Sequence, residues 1–169
     1  MHTSLEKTST GGGWFVRPGQ PADCLAVHEL IVELAIYEQE PDAVVVTPED
    51  LKADGFGPKP IFDLFVAEDV SDGKVIGMAL IYEKYSTWKG RCLYLEDFVV
   101  TRSRRGEGIG RALFEAVYAQ AVDRRVRRLE WQVLEWNEPA IRFYERAGAE
   151  LDGEWLNGRM VFDIPPTRI

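Results

Sequence analysis

One stretch of this chain restricts its fold more than any other. Leu93-Tyr94-Leu95-Glu96-Asp97-Phe98-Val99-Val100 is a largely apolar run of strand length. Arg104-Arg105-Gly106-Glu107-Gly108-Ile109-Gly110-Arg111 follows, and Ile109, Leu113, Val117 and Ala121 then recur at four-residue intervals. The pattern predicts a strand from Leu93 to Thr101, a tight turn, and a helix from about Gly108 to Asp123 with its apolar stripe on a sheet. Glycine permits positive φ and close approach of a ligand to the backbone. A helix N-terminus adds unpaired N–H groups and partial positive charge. Together they suit a phosphate or pyrophosphate, with Arg105 and Arg111 available for charge-assisted contacts. Which phosphate ligand is narrowed by spacing. A Walker A loop needs Lys and then Ser or Thr, where this chain has Arg111-Ala112, and glycines at 106, 108 and 110 do not make G-x-G-x-x-G. The plainer alternative is a ligand-free turn, for which three alternating glycines among arginines are excessive.

The segments around this unit predict a mixed α/β order. Trp14 to Pro18 reads as a strand. Pro21 opens a helix whose Val27, Leu30, Ile31, Leu34 and Ala35 keep helical spacing to about Glu40. Residues 42–60 read as a loop with a short helix near Glu49 to Ala53. Ile61 to Glu68 and Val75 to Tyr85, joined at Ser71-Asp72-Gly73, predict an antiparallel hairpin. Leu129 to Leu134 is a further strand and Pro139 to Ala147 a short helix, with Gly148 past its end. Asn157-Gly158 marks a hairpin between Trp155-Leu156 and Met160-Val161-Phe162. Met1 to Gly13, rich in Ser, Thr and Gly, is expected to be a disordered tail, leaving residues 14–169 as a single domain.

Composition removes several function classes. The net charge is −8, a poor match to nucleic acid, whose binding draws on basic surface, and a better one to a cationic small molecule. No stretch approaches the roughly 18 apolar residues of a membrane span, and the N-terminus lacks the layout of a signal peptide, so a cytoplasmic location is expected. The two cysteines, Cys24 and Cys92, and two histidines, His2 and His28, are too few and too scattered for a zinc site. No metal is implied, and two buried thiols are expected in preference to a disulfide.

Arg105-Gly106-Glu107-Gly108-Ile109-Gly110 resembles the acyl-CoA pyrophosphate loop of the GNAT superfamily of N-acetyltransferases. The Leu93 to Val100 strand and Glu135-Trp136-Asn137-Glu138-Pro139-Ala140-Ile141-Arg142-Phe143-Tyr144 are similar to its diamine (spermidine/spermine-type) branch, which includes polyamine and thialysine enzymes. So are Arg17-Pro18, Ala22-Asp23-Cys24, Glu33-Leu34-Ala35, Tyr37-Glu38 and Asp54-Gly55-Phe56-Gly57, so that the resemblance covers residues 14 to about 164. It implies a GNAT-type α/β fold, a mixed, twisted sheet splayed where acetyl-CoA enters, and a homodimer. It also implies direct acetyl transfer from acetyl-CoA to an amine in a ternary complex. Phe98, Val99 and Val100 would pair with the pantetheine, and Arg105, Gly106, Glu107, Gly108, Ile109, Gly110 and Arg111 would hold the phosphates. Asn137 and Ala140 would add CoA contacts, although Asn137 is also a helix cap.

Amine acetylation sets chemical requirements. An alkyl ammonium, with pKa near 10.4, must lose a proton before attack, and the leaving thiolate must gain one. The resemblance makes Tyr144 the acid, against the plainer reading of Phe143-Tyr144 as two core aromatics. Glu96 is the expected base, directly or through water, since a carboxylate in an apolar strand invites a raised pKa; the plainer reading is a salt bridge. Strand alternation puts Asp97 on the opposite face unless a bulge intervenes. Tyr37 and Glu38 fall at the amine site by resemblance, and Glu154 roughly matches another substrate-side acid. His28 and the run Arg124 to Arg128 read as structural, the latter as a solvated helix end. The expected acceptor is a polyamine or diamine. Thialysine, lysine or a protein lysine is the alternative, and a non-catalytic acetyl-CoA-binding module is the alternative of another class.

Overall fold

The computed structural model describes residues 13–162, and the chain divides into two units, Met1–Gln132 and Val133–Ile169. The tail expected over residues 1–13 lies outside the described residues except for Gly13. In the first unit, β1 (Trp14–Pro18), β2 (Asp63–Asp69), β3 (Val75–Ser86), β4 (Gly90–Val100) and β5 (Arg128–Glu130) form one sheet in that order. β1 to β4 are antiparallel and β5 runs parallel to β4, which makes the sheet mixed, as expected.

The sheet is covered on both faces, which is why β3 reads as a continuous apolar run rather than an alternating one. On one face Val66, Met78, Leu80 and Val99 pack with Cys24, Val27 and Leu30 of α1 (Cys24–Tyr37) and Leu51 of α2 (Pro48–Phe56). On the other, Ile109, Leu113, Val117 and Ala121 of α3 (Ile109–Asp123) are buried as the spacing predicts. Gly77 lets α3 approach, because a Cβ there would lie 3.1 Å from both a Leu113 methyl and the Val99 carbonyl oxygen. Arg17 and Asp23 pin the start of α1, the guanidinium donating to both carboxylate oxygens at 2.7 and 2.8 Å. Thr47 and Asp50 form a capping box, which starts α2 earlier than the expected Glu49. Both cysteines are buried free thiols.

Two departures from expectation share a cause. β3 and β4 pair Leu80 with Asp97 but Ile81 with Leu95, so Glu96 is an extra residue in β4, a bulge. A bulge bends its strand. β5 accordingly pairs only Cys92, Leu93 and Tyr94, and it spans Arg128–Glu130 instead of the expected Leu129 to Leu134. β4 then continues to Val100 with no strand of the described residues laddered on that side, which is the splay. The run Arg124 to Arg128 follows the end of α3 with Arg125 and Arg127 exposed, as expected of a solvated helix end, but Arg124 and Arg128 depart from it. Arg124 donates to Asp63 at 2.7 Å and Arg128 lies 3.2 Å from Glu130, because the basic run falls beside carboxylates of the sheet.

The second unit carries α4 (Glu138–Arg146), capped by Asn137, whose side-chain oxygen accepts from the Ala140 N–H at 3.4 Å. Gly148 follows at φ +88°. The hairpin expected around Asn157-Gly158 is absent: residues 151–162 carry no strand. A two-stranded hairpin is marginal by itself, and these residues join no ladder of the five-stranded sheet.

Candidate active site

The β4 bulge decides where the carboxylates go. Strict alternation would separate Glu96 from Asp97. With one extra residue, both stand opposite Leu80, on the sheet face covered by α1 and α2. Asp97 is half-buried and Glu96 exposed. Glu38, the first residue beyond α1, donates its N–H to the Leu34 carbonyl at 2.9 Å and completes the group. Burial, then the charges of Glu96 and Glu38, push the Asp97 carboxyl up to about 6. Burial also pushes Glu38 up.

Two tyrosines border the acids. Tyr82 is directly opposite Tyr94 across the ladder, with ring centres 5.3 Å apart. Its hydroxyl donates to Glu96, and burial together with that carboxylate pushes it up to about 12. Tyr94 is raised too, by burial and then by Glu96 and Glu130. Neither tyrosine was singled out in the sequence. The signal was available in principle, since counting back along both strands from the Ser86 to Gly90 turn pairs them.

The glycine-rich loop forms at the end of β4. Gly106 and Gly108 both have φ +85°, and Gly108 is the N-cap of α3. A Cβ at Gly106 would meet nothing within 4 Å, so backbone conformation, and not crowding, requires glycine there. Gly108 brings no side chain to cap α3, so the N-cap supplies no oxygen to the helix's first N–H groups. Arg105 donates from Nε to the Val100 carbonyl at 2.9 Å, and its guanidinium stands 5.1 Å from the centre of the Tyr37 ring. Glu33, to which the sequence gave no role, ties the loop to α1: it accepts from the Thr101 hydroxyl at 2.8 Å and the Arg102 N–H at 2.7 Å.

Other expected cofactor contacts are narrowed. Glu107 is ion-paired with Arg104 at 2.9 Å and Arg111 with Glu115 at 2.8 Å, both within the protein surface. Ile109 and Val99 are buried core residues, which leaves their backbone for a ligand. Phe98 lies 6.2 Å from Phe114 between their ring centres, and Val100 is half-buried. An open cleft of about 360 Å³ flanks the loop between Glu33, Asp69, Lys74 and Arg104. None of Glu38, Glu96 and Asp97 lines it, and Arg104 is already paired there with Asp69 and Glu107.

In the second unit, Tyr144 is buried on α4 with the Phe143 ring edge-on at 5.4 Å. The Ala140 N–H is taken up by Asn137, and Glu154 is exposed. The first unit therefore gathers Glu38, Glu96 and Asp97, while Asn137, Ala140, Tyr144 and Glu154 belong to the second.

An uncapped helix N-terminus behind two left-handed glycines, with a half-open strand edge leading to it, suits a long phosphorylated ligand. Residues 26–149 match the acetyltransferase (GNAT) family. The chain belongs to that family. As a GNAT protein it is an acetyl-CoA-dependent N-acetyltransferase. It is 41% identical over 141 residues to a thialysine N-epsilon-acetyltransferase of Bos taurus, covering 80% of this chain and 83% of that one. It is 37% identical over 140 residues to a human spermidine/spermine N(1)-acetyltransferase-like protein, covering 79% of this chain and 20% of that longer one. Among solved structures, an integron cassette protein from the mobile metagenome of V. cholerae superposes with a TM-score of 0.71 at 25% identity, covering 90% and 95% of the two chains.

Proposed function

We infer that this GNAT enzyme acetylates the terminal primary amine of a small cationic acceptor, a polyamine or diamine, by direct transfer in a ternary complex. The observation that carries the reading is the bulge at Glu96, which sets Glu96 and Asp97 on one face of the sheet, within the electrostatic reach of Glu38 at the end of α1. A carboxyl at about 6 is ionised at neutral pH and basic enough to share an ammonium proton. A basic amino acid such as thialysine or lysine is the second reading, favoured by the similarity to thialysine acetyltransferase.

The residues divide the work as follows. The backbone of Gly106 to Gly110 receives the pyrophosphate, Arg105 assists, and the unladdered edge of β4 at Phe98 to Val100 pairs with the pantetheine and polarises the thioester carbonyl. Asp97 or Glu96 takes a proton from the ammonium. The freed nitrogen attacks the thioester carbon, a C–N bond forms and the C–S bond breaks. The nitrogen's second proton leaves to solvent, and Tyr144, assigned by resemblance, donates its hydroxyl proton to the departing thiolate. The family match runs unbroken through both units, which supports one catalytic domain. Among the described residues no helix is long and apolar enough to cross a membrane; a cytoplasmic location and a homodimer belong to this reading by the family resemblance.

CoA release over a panel of diamines, basic amino acids and lysine peptides tests this reading. A small amine should turn over best, and Tyr144→Phe should cut kcat by roughly 10²-fold or more while leaving acetyl-CoA affinity near wild type. Release with lysine peptides alone would replace the small-molecule reading. Acetyl-CoA binding without release to any amine would indicate a binding module.

A further inference from the structure

Glu33 stands on α1, yet both of its carboxylate oxygens are engaged at the far end of β4. Oε2 accepts from the Thr101 hydroxyl at 2.8 Å and Oε1 from the Arg102 N–H at 2.7 Å. Arg102 opens the single 3₁₀ turn, Arg102–Arg104, that leads into the glycine-rich loop. Thr101 precedes this turn without capping it through its own side chain, so Glu33 caps it from another element.

Arg105 makes a second attachment. Thr101 donates its N–H to Ile76 of β3 at 2.9 Å, so Val100, one residue earlier, turns its polar groups to the opposite edge of β4, the one that β5 leaves after Tyr94. Arg105 Nε takes the Val100 carbonyl on that edge, while its guanidinium stands over the ring of Tyr37, one helical turn beyond Glu33. Glu38 follows Tyr37 directly. Apart from Arg104, which is tied to Asp69 of β2, residues 102–108 are exposed. Glu33 and Tyr37 therefore fasten an exposed loop to the helix that leads into Glu38.

We propose that Glu33 is a positioning residue for the transfer: it fastens the glycine-rich loop and the end of β4 to α1, so that the acetyl-CoA seat and the amine-site acids keep one separation and each substrate tightens the binding of the other. The proposal rests on the amine-acetyltransferase reading and adds how its two sites communicate. Pyrophosphate on the loop selects the docked loop. The docked loop holds Tyr37, and with it the end of α1, where Glu38 acts on Asp97. A ligand shifts such an equilibrium only through its different affinity for the two states, and here both ligands favour the same state. The coupling is reciprocal, so the factor by which the amine tightens CoA equals that by which CoA tightens the amine.

CoA and spermidine, which cannot react with each other, measure this coupling by calorimetry on the full-length protein, with L-thialysine as a second amine. Wild type should bind CoA roughly fivefold or more tightly when the amine is saturating. In Glu33→Ala the factor should fall to near one, and KM should rise for both substrates. A change that only destabilised the fold would lower the active fraction, and hence kcat alone. Glu33→Gln keeps a carbonyl oxygen for the Arg102 N–H and an amide for the Thr101 oxygen, and should restore the factor to within about twofold of wild type. A wild-type factor of one, unchanged coupling and KM values in Glu33→Ala, or a Glu33→Gln no better than Glu33→Ala would overturn the positioning role and leave the amine-acetyltransferase reading standing. Wild-type protein that binds CoA but neither amine would overturn both.

Discussion

Asp97 is held between two carboxylates of its own sign, in a site that removes much of its water. Its folded-state value of about 6 lies above the ordinary 3.8, so the folded protein binds this proton more tightly than the unfolded chain does. Below about pH 4 the carboxyl is neutral in both states and costs nothing. As pH rises through about 6, the folded state must carry a charge that the unfolded chain solvates freely, and stability falls. The shift corresponds to at most about 3 kcal/mol, and solvent screening at a partly exposed group brings the expected cost nearer 1–2 kcal/mol. Asp97→Asn should therefore raise Tm at pH 7.5 and give no increase at pH 4. In activity the sign reverses. Deprotonation makes the base, so kcat/KM for the amine should climb through about pH 6 in the wild type, and this limb should be missing from a variant slowed roughly 10²-fold or more. A pH-independent Tm difference, or a limb that survives the substitution, would remove Asp97 from the role. The sequence made Glu96 the base because it is a carboxylate in an apolar strand. The same description fits its neighbour, and only burial separates them.

At the scale of elements, the glycine-rich loop and the β4 bulge differ in how far the sequence discloses them. The loop was legible because only glycine adopts φ +85° freely, and the residue types at 106 and 108 therefore report the backbone. The bulge was not. Its signature is one extra residue in β4 relative to β3, which is visible only when both strands are known and paired. The shortened β5 and the missing Asn157-Gly158 hairpin were lost for a related reason: strand residues form a strand only where a ladder partner continues. The loop's ligand role is open to a substitution that spares the fold. Aspartate is an accepted helix N-cap and one of the few side chains found at positive φ. A Cβ at Gly108 would touch only the Trp14 ring, at 3.9 Å. At φ +85° the new side chain costs about 1–2 kcal/mol, so Gly108→Asp should lower Tm by a few degrees while placing negative charge against the pyrophosphate. Calorimetry should show acetyl-CoA bound at least tenfold more weakly; unchanged affinity would relocate the phosphate site.

For the whole molecule, chain order and composition gave the mixed α/β class and the acidic surface, but the partner surface was accessible only through resemblance. The structure adds a physical reason to expect one. β3 and β4 pair out to Ser86 and Gly90, past the last β2 partner at Ile81 and the last β5 partner at Cys92, so Tyr85, Ser86, Gly90, Arg91 and the turn between them project beyond the rest of the sheet as a short arm. Tyr85 and Trp88 near its tip are 72% and 79% exposed. Large aromatics on a projecting hairpin are favoured at interfaces, where they bury much apolar area with few rotatable bonds. Opposing this, each chain brings a net charge of −8, and two acidic surfaces repel. Screening shortens that repulsion to about 8 Å at physiological ionic strength and lengthens it to about 30 Å at 0.01 M. If apolar contact through the arm holds two copies together, association should tighten as salt is added, the opposite of an interface made from ion pairs. Light scattering at 0.15 M salt should then give twice the 19.2 kDa chain mass, with a monomer fraction that grows on dilution into 0.01 M. Trp88→Lys should give a monomer at both. A monomer at every salt concentration would refute the dimer, and a dimer untouched by Trp88→Lys would move its interface away from the arm.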